Sequence, residues 1–193
     1  MHPVRKMMTT AKGFSLIEVL MALLLTTVGV LGMVALQGRS IQYTQDAVQR
    51  NTAVELANDL IEIVRANPQQ MFNNVPPTFP MNSGMRNSSA FYKAKNEDFS
   101  NREDCVVSAS ELAKTAQEQR DCWAERVENL LPGGSELFTS DMYICRSATP
   151  GECTANQGSM LEIRLAWQVR AGACLDASDP QATVCTYTVR VQP

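Results

Sequence analysis

The chain has 193 residues, 45% of them hydrophobic, which is enough for one ordinary domain and an appendage. Its 17 basic and 20 acidic side chains give a formal net charge of −3, which argues against a broad basic surface for nucleic acid. The single histidine, His2, lies at the start of the chain, so histidine-dependent nucleophiles and metal sites are excluded beyond that point.

The first predicted element is a short basic leader, residues 1–13. It carries Arg5, Lys6 and Lys12 and no acidic residue, so the rest of the chain is more acidic than the whole. Because positively charged flanks stay on the cytoplasmic side of a membrane, we expect this leader inside the cell and the rest of the chain outside.

An apolar segment follows at residues 14–36. Its only charged residue is Glu18, and as a helix the segment would be about 34 Å long, enough to cross a bilayer. A carboxylate inside a membrane helix costs about 2.5–3.5 kcal/mol on insertion scales, so it is expected only where it has a partner. We therefore predict a membrane or assembly helix in which Glu18 makes a specific contact.

The helical pattern continues past the apolar segment. No proline occurs until Pro68, and apolar residues recur at helical spacing among polar ones up to Val64. The sequence predicts one helix over residues 15–66, about 75–80 Å long, apolar all round in its first half and amphipathic in its second. Residues 37–193, including the amphipathic half, should form the head.

Residues 68–104 are rich in proline, asparagine and serine, which excludes long regular elements. Aromatic rings are scattered through this stretch. They are expected to pin an irregular loop to the head, although a contact surface for a neighbouring subunit remains open. The rings belong to Phe72, Phe79, Phe91, Tyr92 and Phe99.

A second helix should end at Leu131, before a Pro-Gly-Gly sequence. Ser108 and Thr115 both fit the start of a capping box. The later start is preferred, because a helix from residue 109 would carry Cys122 too far from Cys105 for a disulfide. The core-facing side of this helix is then predicted to consist of Ala116, Trp123, Val127 and Leu130.

The last third of the chain alternates as strands do. In residues 159–170 the odd positions are apolar, and Glu162, Arg164, Ala166, Gln168 and Arg170 are predicted to face away from the core. Residues 185–192 alternate in the same way, and residues 141–146 supply a shorter strand. The order indicates an α+β fold whose antiparallel sheet covers the amphipathic half of the long helix.

All six cysteines lie beyond the apolar segment, as expected for disulfides formed in an oxidising compartment such as the periplasm. Their spacings include no C-x-x-C pair, which argues against a metal site. Nearest-neighbour pairing is predicted, because each pair would then bracket one short connection. The pairs are Cys105 with Cys122, Cys145 with Cys153, and Cys174 with Cys185.

The motif GFSLIEV at residues 13–19, after a basic leader and before an apolar helix, resembles the class III signal of type IV prepilins. The resemblance implies cleavage after Gly13 by a prepilin peptidase, methylation of the new amino terminus at Phe14, and retention of the helix for assembly. It also implies that Glu18 meets the amino terminus of a neighbouring subunit, while pairing with its own terminus stays open. The usual helix proline of major pilins is absent.

Within that family the chain is similar to PilV-type minor pilins. The similarity rests on the run GVLGMVALQG at residues 29–38, the Asp-Cys-Trp helix ending in LPGG, and the segments LEIRLAW and YTVRVQP. It implies an inner-membrane protein with a periplasmic head that reaches the cell surface in the pilus. The implied role is priming assembly near the tip, in support of twitching motility and adhesion.

The partners that the resemblance implies are prepilin peptidase, the major pilin and other minor pilins, the inner-membrane assembly platform and a large tip adhesin. No cofactor and no nucleic acid is expected. The alternative is a minor pseudopilin of a type II secretion system, which shares the signal and the fold. An enzyme is disfavoured, because a serine with Lys93, Lys95 or Lys114, or the pair Asp98 and Asp104, has no supporting motif.

Overall fold

A computed structural model describes residues 13–75, 84–105, 115–154, 156–174, 178–179 and 181–193. The chain divides into two compact units, with the boundary between Gln42 and Tyr43. The predicted leader, residues 1–12, and Phe79 lie outside the described residues.

The first helix, α1, spans Leu16–Ala66 without a break, as predicted to within one residue at its start. Its first turn begins on the carbonyl of Ser15, which accepts hydrogen bonds from the backbone N–H groups of Glu18 at 3.0 Å and Val19 at 3.3 Å. The helix ends before Pro68, where a proline ring cannot continue the hydrogen-bond ladder. A short helix, α2, then occupies Pro68–Met71.

The second predicted helix, α3, spans Ala116–Leu130 and begins with the predicted capping box. The hydroxyl of Thr115 accepts from the N–H of Glu118, and the Glu118 carboxylate accepts from the N–H of Thr115. The prediction that Leu130 faces the core is wrong, since it is 55% exposed while Leu131 is 3% exposed. Leu131 is one helical turn beyond the buried Val127, so the core-facing stripe ends there.

A further helix, α4, spans Gly134–Ser140, where the Pro-Gly-Gly sequence predicts only the end of the preceding helix. Gly133 adopts a left-handed conformation at φ 69°, which glycine reaches without strain. The chain turns there and a new helix begins at once.

Within the described ranges, three strands form one antiparallel sheet in the order β1, β2, β3. They span Tyr143–Ser147, Met160–Gln168 and Val184–Val191. Leu161 pairs with Val191 and Trp167 with Cys185, and Tyr143 pairs with Arg164. The alternation therefore predicted the pairing strands correctly, although Val169 lies just beyond β2.

The core of the head combines one face of α1 with α3, α4, the loop aromatics and the sheet. The residues that α1 contributes are Ala53, Leu56, Ala57, Leu60, Ile61 and Val64. Phe72, Phe91 and Phe99 are at most 5% exposed, so these loop rings do pin the irregular segment to the head. The structure confirms the predicted α+β architecture.

The three predicted disulfides are all present: Cys105 to Cys122, Cys145 to Cys153, and Cys174 to Cys185. The first ties the loop before α3 to that helix. The second closes the start of the β1–β2 connection, and the third joins the β2–β3 connection to β3.

Candidate assembly site

The apolar part of α1 presents an uncovered hydrophobic surface. Leu16–Gly38 has a mean hydropathy of 2.5 over a window of which no part is buried within the chain. Leu16, Leu31 and Val19 are 84%, 69% and 46% exposed. The core helix of a soluble protein would bury such side chains, so this segment needs lipid or other helices around it. The span is consistent with a membrane-anchored subunit.

The hydroxyl groups in this span are satisfied within the helix itself. Thr26 and Thr27 donate to the carbonyls of Leu23 and Leu24, at 2.9 and 2.8 Å. Internal satisfaction of this kind is what a nonpolar environment requires. Glu18, in the first turn of α1, is different. No described residue places a cation within ion-pair distance of its carboxylate.

The predicted processing residues lie just before the helix. Gly13 and Phe14 have no regular secondary structure, and Phe14 is 82% exposed. An exposed segment without side-chain bulk at Gly13 suits entry into a protease cleft. Cleavage after Gly13 and the contact of Glu18 with a new amino terminus stay predictions.

Gly29 and Gly32 are not packed against any part of the chain that the structure describes. A Cβ added at either position would meet no atom within 4 Å outside the local helix backbone. A role for these two glycines would therefore lie in bending of the helix or in contacts with other molecules.

The second half of α1 is held to α3 by side-chain contacts. The indole N–H of Trp123 donates to the carbonyl of Leu56 at 2.7 Å, and Arg126 pairs with Asp59 at 2.9 Å. The Trp123 ring also packs near Phe99 and Phe138, with ring centroids 6.5 and 6.4 Å away. A mostly buried aromatic cluster therefore fixes the helix to the head.

Glu162 alternates with the core residues Leu161 and Ile163 as predicted, but it is 0% exposed, so the expectation that its side of the strand is open to solvent is wrong. Its carboxylate accepts from the Tyr143 hydroxyl at 2.7 Å, the Ser147 hydroxyl at 3.0 Å and the N–H of Gly151 at 3.0 Å. Arg190 approaches it to 3.3 Å. The loop after β1 covers this face of the sheet, and burial together with Glu162 raises the pKa of Tyr143.

Ala166 is also buried, where the half-buried pattern predicts exposure. Gln168 at the strand end is exposed, as predicted, and Arg164 is half-buried. The second face of the sheet is therefore largely covered within the head. Strict alternation could not reveal this, because the loop after β1 covers the face only once β1 and β2 have paired.

Three of the titratable side chains that could have acted in catalysis are held by contacts within the head. Burial lowers the pKa of Lys93 to about 8, and its ammonium donates to the carbonyl of Met142 at 2.8 Å and lies 4.9 Å from the centroid of the Phe138 ring. Lys95 pairs with Asp141 at 3.1 Å, and Asp98 pairs with Arg102 at 3.2 Å. Lys114 lies outside the described residues. Lys93, Lys95 and Asp98 thus each have a structural contact.

Residues 35–124, just under half of the chain, match the family model described as Tt1218-like, Type IV pilin Tt1218. No curated protein and no solved structure gives a significant match. The matched stretch begins at the end of the apolar segment and covers the second half of α1, the following loop and the first part of α3. The match therefore does not depend on the GFSLIEV motif.

The long helix, the small antiparallel sheet and the three disulfides fit the α+β fold of type IV pilins. The family match supports a type IV pilin, a structural subunit that assembles with other pilin subunits.

Proposed function

We propose that this chain is a minor pilin of PilV type that primes assembly of a type IV pilus near its tip. The observation that carries the proposal is the uncovered apolar helix with one acid in its first turn. Such a surface is stable in the bilayer and again in a bundle of similar helices, so one element serves both anchoring and assembly.

Processing would supply a partner for Glu18, which forms no ion pair with any of the described residues. Cleavage after Gly13 exposes the ammonium group of Phe14, and this group on a neighbouring subunit would neutralise the Glu18 carboxylate in a nonpolar setting. Prepilin peptidase is the enzyme proposed for the cleavage and for methylation of the new terminus. The head, proposed to be periplasmic, would contact the major pilin, other minor pilins and a tip adhesin, while the inner-membrane platform drives assembly.

The first test compares Glu18→Ala with the wild type in both processing and assembly. Both proteins should begin at methylated Phe14 by mass spectrometry, because the change leaves the cleavage residues intact. The variant should be recovered several-fold less in sheared pili, because the intersubunit charge pair is lost.

Leu20→Ala, an apolar change near the same helix end, is the matched control and should be incorporated like the wild type. Equal incorporation of Glu18→Ala would contradict the contact. A protein that keeps its leader would contradict the processing proposal.

The second test deletes the gene and scores pili and secretion separately. We expect few or no surface pili by electron microscopy and loss of twitching motility, with the major pilin retained in the inner membrane. Blocking pilus retraction should restore some pili, since a priming defect slows initiation more than elongation.

The alternative is a minor pseudopilin of a type II secretion system, which would use the same helix. Normal pili and motility in the deletion strain, together with periplasmic retention of secreted enzymes, would favour that alternative. We also propose that the chain is not an enzyme, because type IV pilins are structural subunits. A catalytic activity of the purified protein would contradict this.

A further inference from the structure

An open cavity of about 500 Å³ lies between the β1–β2 connection and the adjoining ends of β1, β2 and β3. Its volume is within the range of about 300–1,000 Å³ typical of small-molecule sites. The lining includes two arginines, several neutral hydrogen-bonding side chains and two apolar side chains, and no acidic residue among those described. Among the lining residues are Arg146, Arg190, Asn156, Gln157, Ser159 and Met160.

The charge of Arg146 is not neutralised by any carboxylate among the described residues. The side chain belongs to a residue only 9% exposed. Its guanidinium donates to the carbonyl of Gly158 at 2.9 Å and to the side-chain oxygen of Asn87 at 2.9 Å, with longer contacts to the carbonyls of Met85 and Arg86. All these acceptors are neutral. A buried cation with only neutral partners favours an anion beside it.

Arg190 adds a second guanidinium but does not leave a second free charge. It is paired with the buried Glu162 at 3.3 Å and also donates to the carbonyl of Ser147 at 3.2 Å. Glu162 in turn is held by Tyr143, Ser147 and Gly151, so it is not available to Arg146. The cavity therefore keeps a net positive charge from Arg146.

The wall of the cavity is fixed close to β1. Gly158 has φ +90°, and a Cβ there would overlap the carbonyl of Ser147. The disulfide from Cys145 to Cys153 closes the start of the same connection. Such a wall positions Arg146 and the neighbouring polar groups before a ligand arrives, which lowers the entropic cost of binding. Arg146 also lines a second cavity of about 340 Å³, but Glu97 there makes it less suited to an anion.

We propose that the cavity lined by Arg146, Arg190, Asn156, Gln157 and Ser159 binds a hydroxylated carboxylate, with a hexuronic acid as the representative ligand. The carboxylate would lie beside Arg146, attracted by the charge of its guanidinium, because the Nε and Nη2 N–H groups on one edge of that guanidinium already donate to the carbonyl of Gly158. The neutral amide and hydroxyl side chains would bind the ring hydroxyls. This binding is independent of the proposed role in pilus assembly.

The test titrates the full chain in nonionic detergent with glucuronate and, separately, with glucose, by calorimetry. Glucuronate should bind saturably and glucose should not, since glucose lacks the charged group. Oligoglucuronate distinguishes a polymer from the free acid: tighter binding per chain would indicate an acidic polysaccharide, and equal binding the free sugar acid.

Gln157→Glu is the decisive variant, because Gln157 is exposed at the cavity and the change adds a like charge without removing a buried group. Its affinity for glucuronate should fall about tenfold or more. Gln181→Glu adds the same charge at a position outside the cavity lining and should bind like the wild type. Absence of glucuronate binding to the wild type, or equal binding by Gln157→Glu, would overturn the proposal.

Discussion

Individual charged residues in the head differ sharply in their surroundings. Arg120 is 0% exposed and pairs with Asp121, which is 4% exposed. The guanidinium also donates to the carbonyl of Ala90 at 2.8 Å and lies 4.6 Å from the centroid of the Phe99 ring. By contrast, Arg126 and Asp59 form a pair whose side chains are 52% and 40% exposed. Both are arginine–aspartate pairs, so comparing them tests how burial changes the contribution of an ion pair to stability.

Asp121→Asn should destabilise the head by about 3–5 kcal/mol, because it leaves the Arg120 charge buried without its carboxylate. Asp59→Asn, the same change in the exposed pair, should cost about 0–1 kcal/mol. Urea unfolding under oxidising conditions, followed by tryptophan fluorescence, measures both. Equal losses in the two variants would show that burial of the Arg120 pair does not determine its contribution.

Residue-level burial was the least predictable feature from the sequence. Glu162 has the polar side chain of a solvent-facing strand position, yet four groups from β1, the loop after it and β3 enclose its carboxylate. Those groups come together only when the sheet forms. Leu130 and Leu131 show that the sequence also does not reveal which of two adjacent leucines is buried. They have the same side chain, but at the end of α3 only Leu131 faces the core.

At the scale of elements, local signals were sufficient where the determinants are close in sequence. The start of α3 depends on Thr115 and Glu118, three positions apart, and both hydrogen bonds of the capping box form. The strands β2 and β3 follow from alternation, and the disulfide pairs from short connections. The helix α4 has no such signal, because its start depends on the left-handed turn at Gly133.

Thr115→Ala should destabilise the head by about 1 kcal/mol, within a range of about 0.5–2, because the N–H of Glu118 loses its side-chain acceptor. Thr115→Ser keeps a hydroxyl at the same place and should stay close to the wild type. Chemical unfolding of the two variants in parallel measures the difference. If alanine and serine have equal effects, the capping hydrogen bond contributes nothing measurable to stability.

At the scale of the whole molecule, the chain combines an uncovered apolar helix with a head that is cross-linked by disulfides. Residues 16–36 expose leucine, valine and methionine side chains that water does not favour. The unit from Tyr43 to Pro193 contains the buried core and three disulfides, which require an oxidising compartment. Together these features predict that the two ends of the apolar helix face different compartments.

The basic leader should determine which end of the apolar helix faces the cytoplasm. Arg5, Lys6 and Lys12 lie outside the described residues, so the prediction rests on their charge alone. In the wild type the cysteines should resist a thiol-alkylating reagent unless a reductant is added first. Replacing Arg5, Lys6 and Lys12 with glutamate should leave the head in the reducing cytosol, where its cysteines stay as free thiols and react with the reagent.

The matched control exchanges the three residues for each other's type, Arg5→Lys, Lys6→Arg and Lys12→Arg, which keeps the charge and should keep the cysteines protected. Gel shifts after alkylation in lysed cells measure the number of free thiols, and protease treatment of spheroplasts locates the head independently. If the glutamate variant remains fully oxidised and protease-accessible, the leader charge does not set the orientation. The oxidised head would then have to be explained by the apolar helix and the following chain alone.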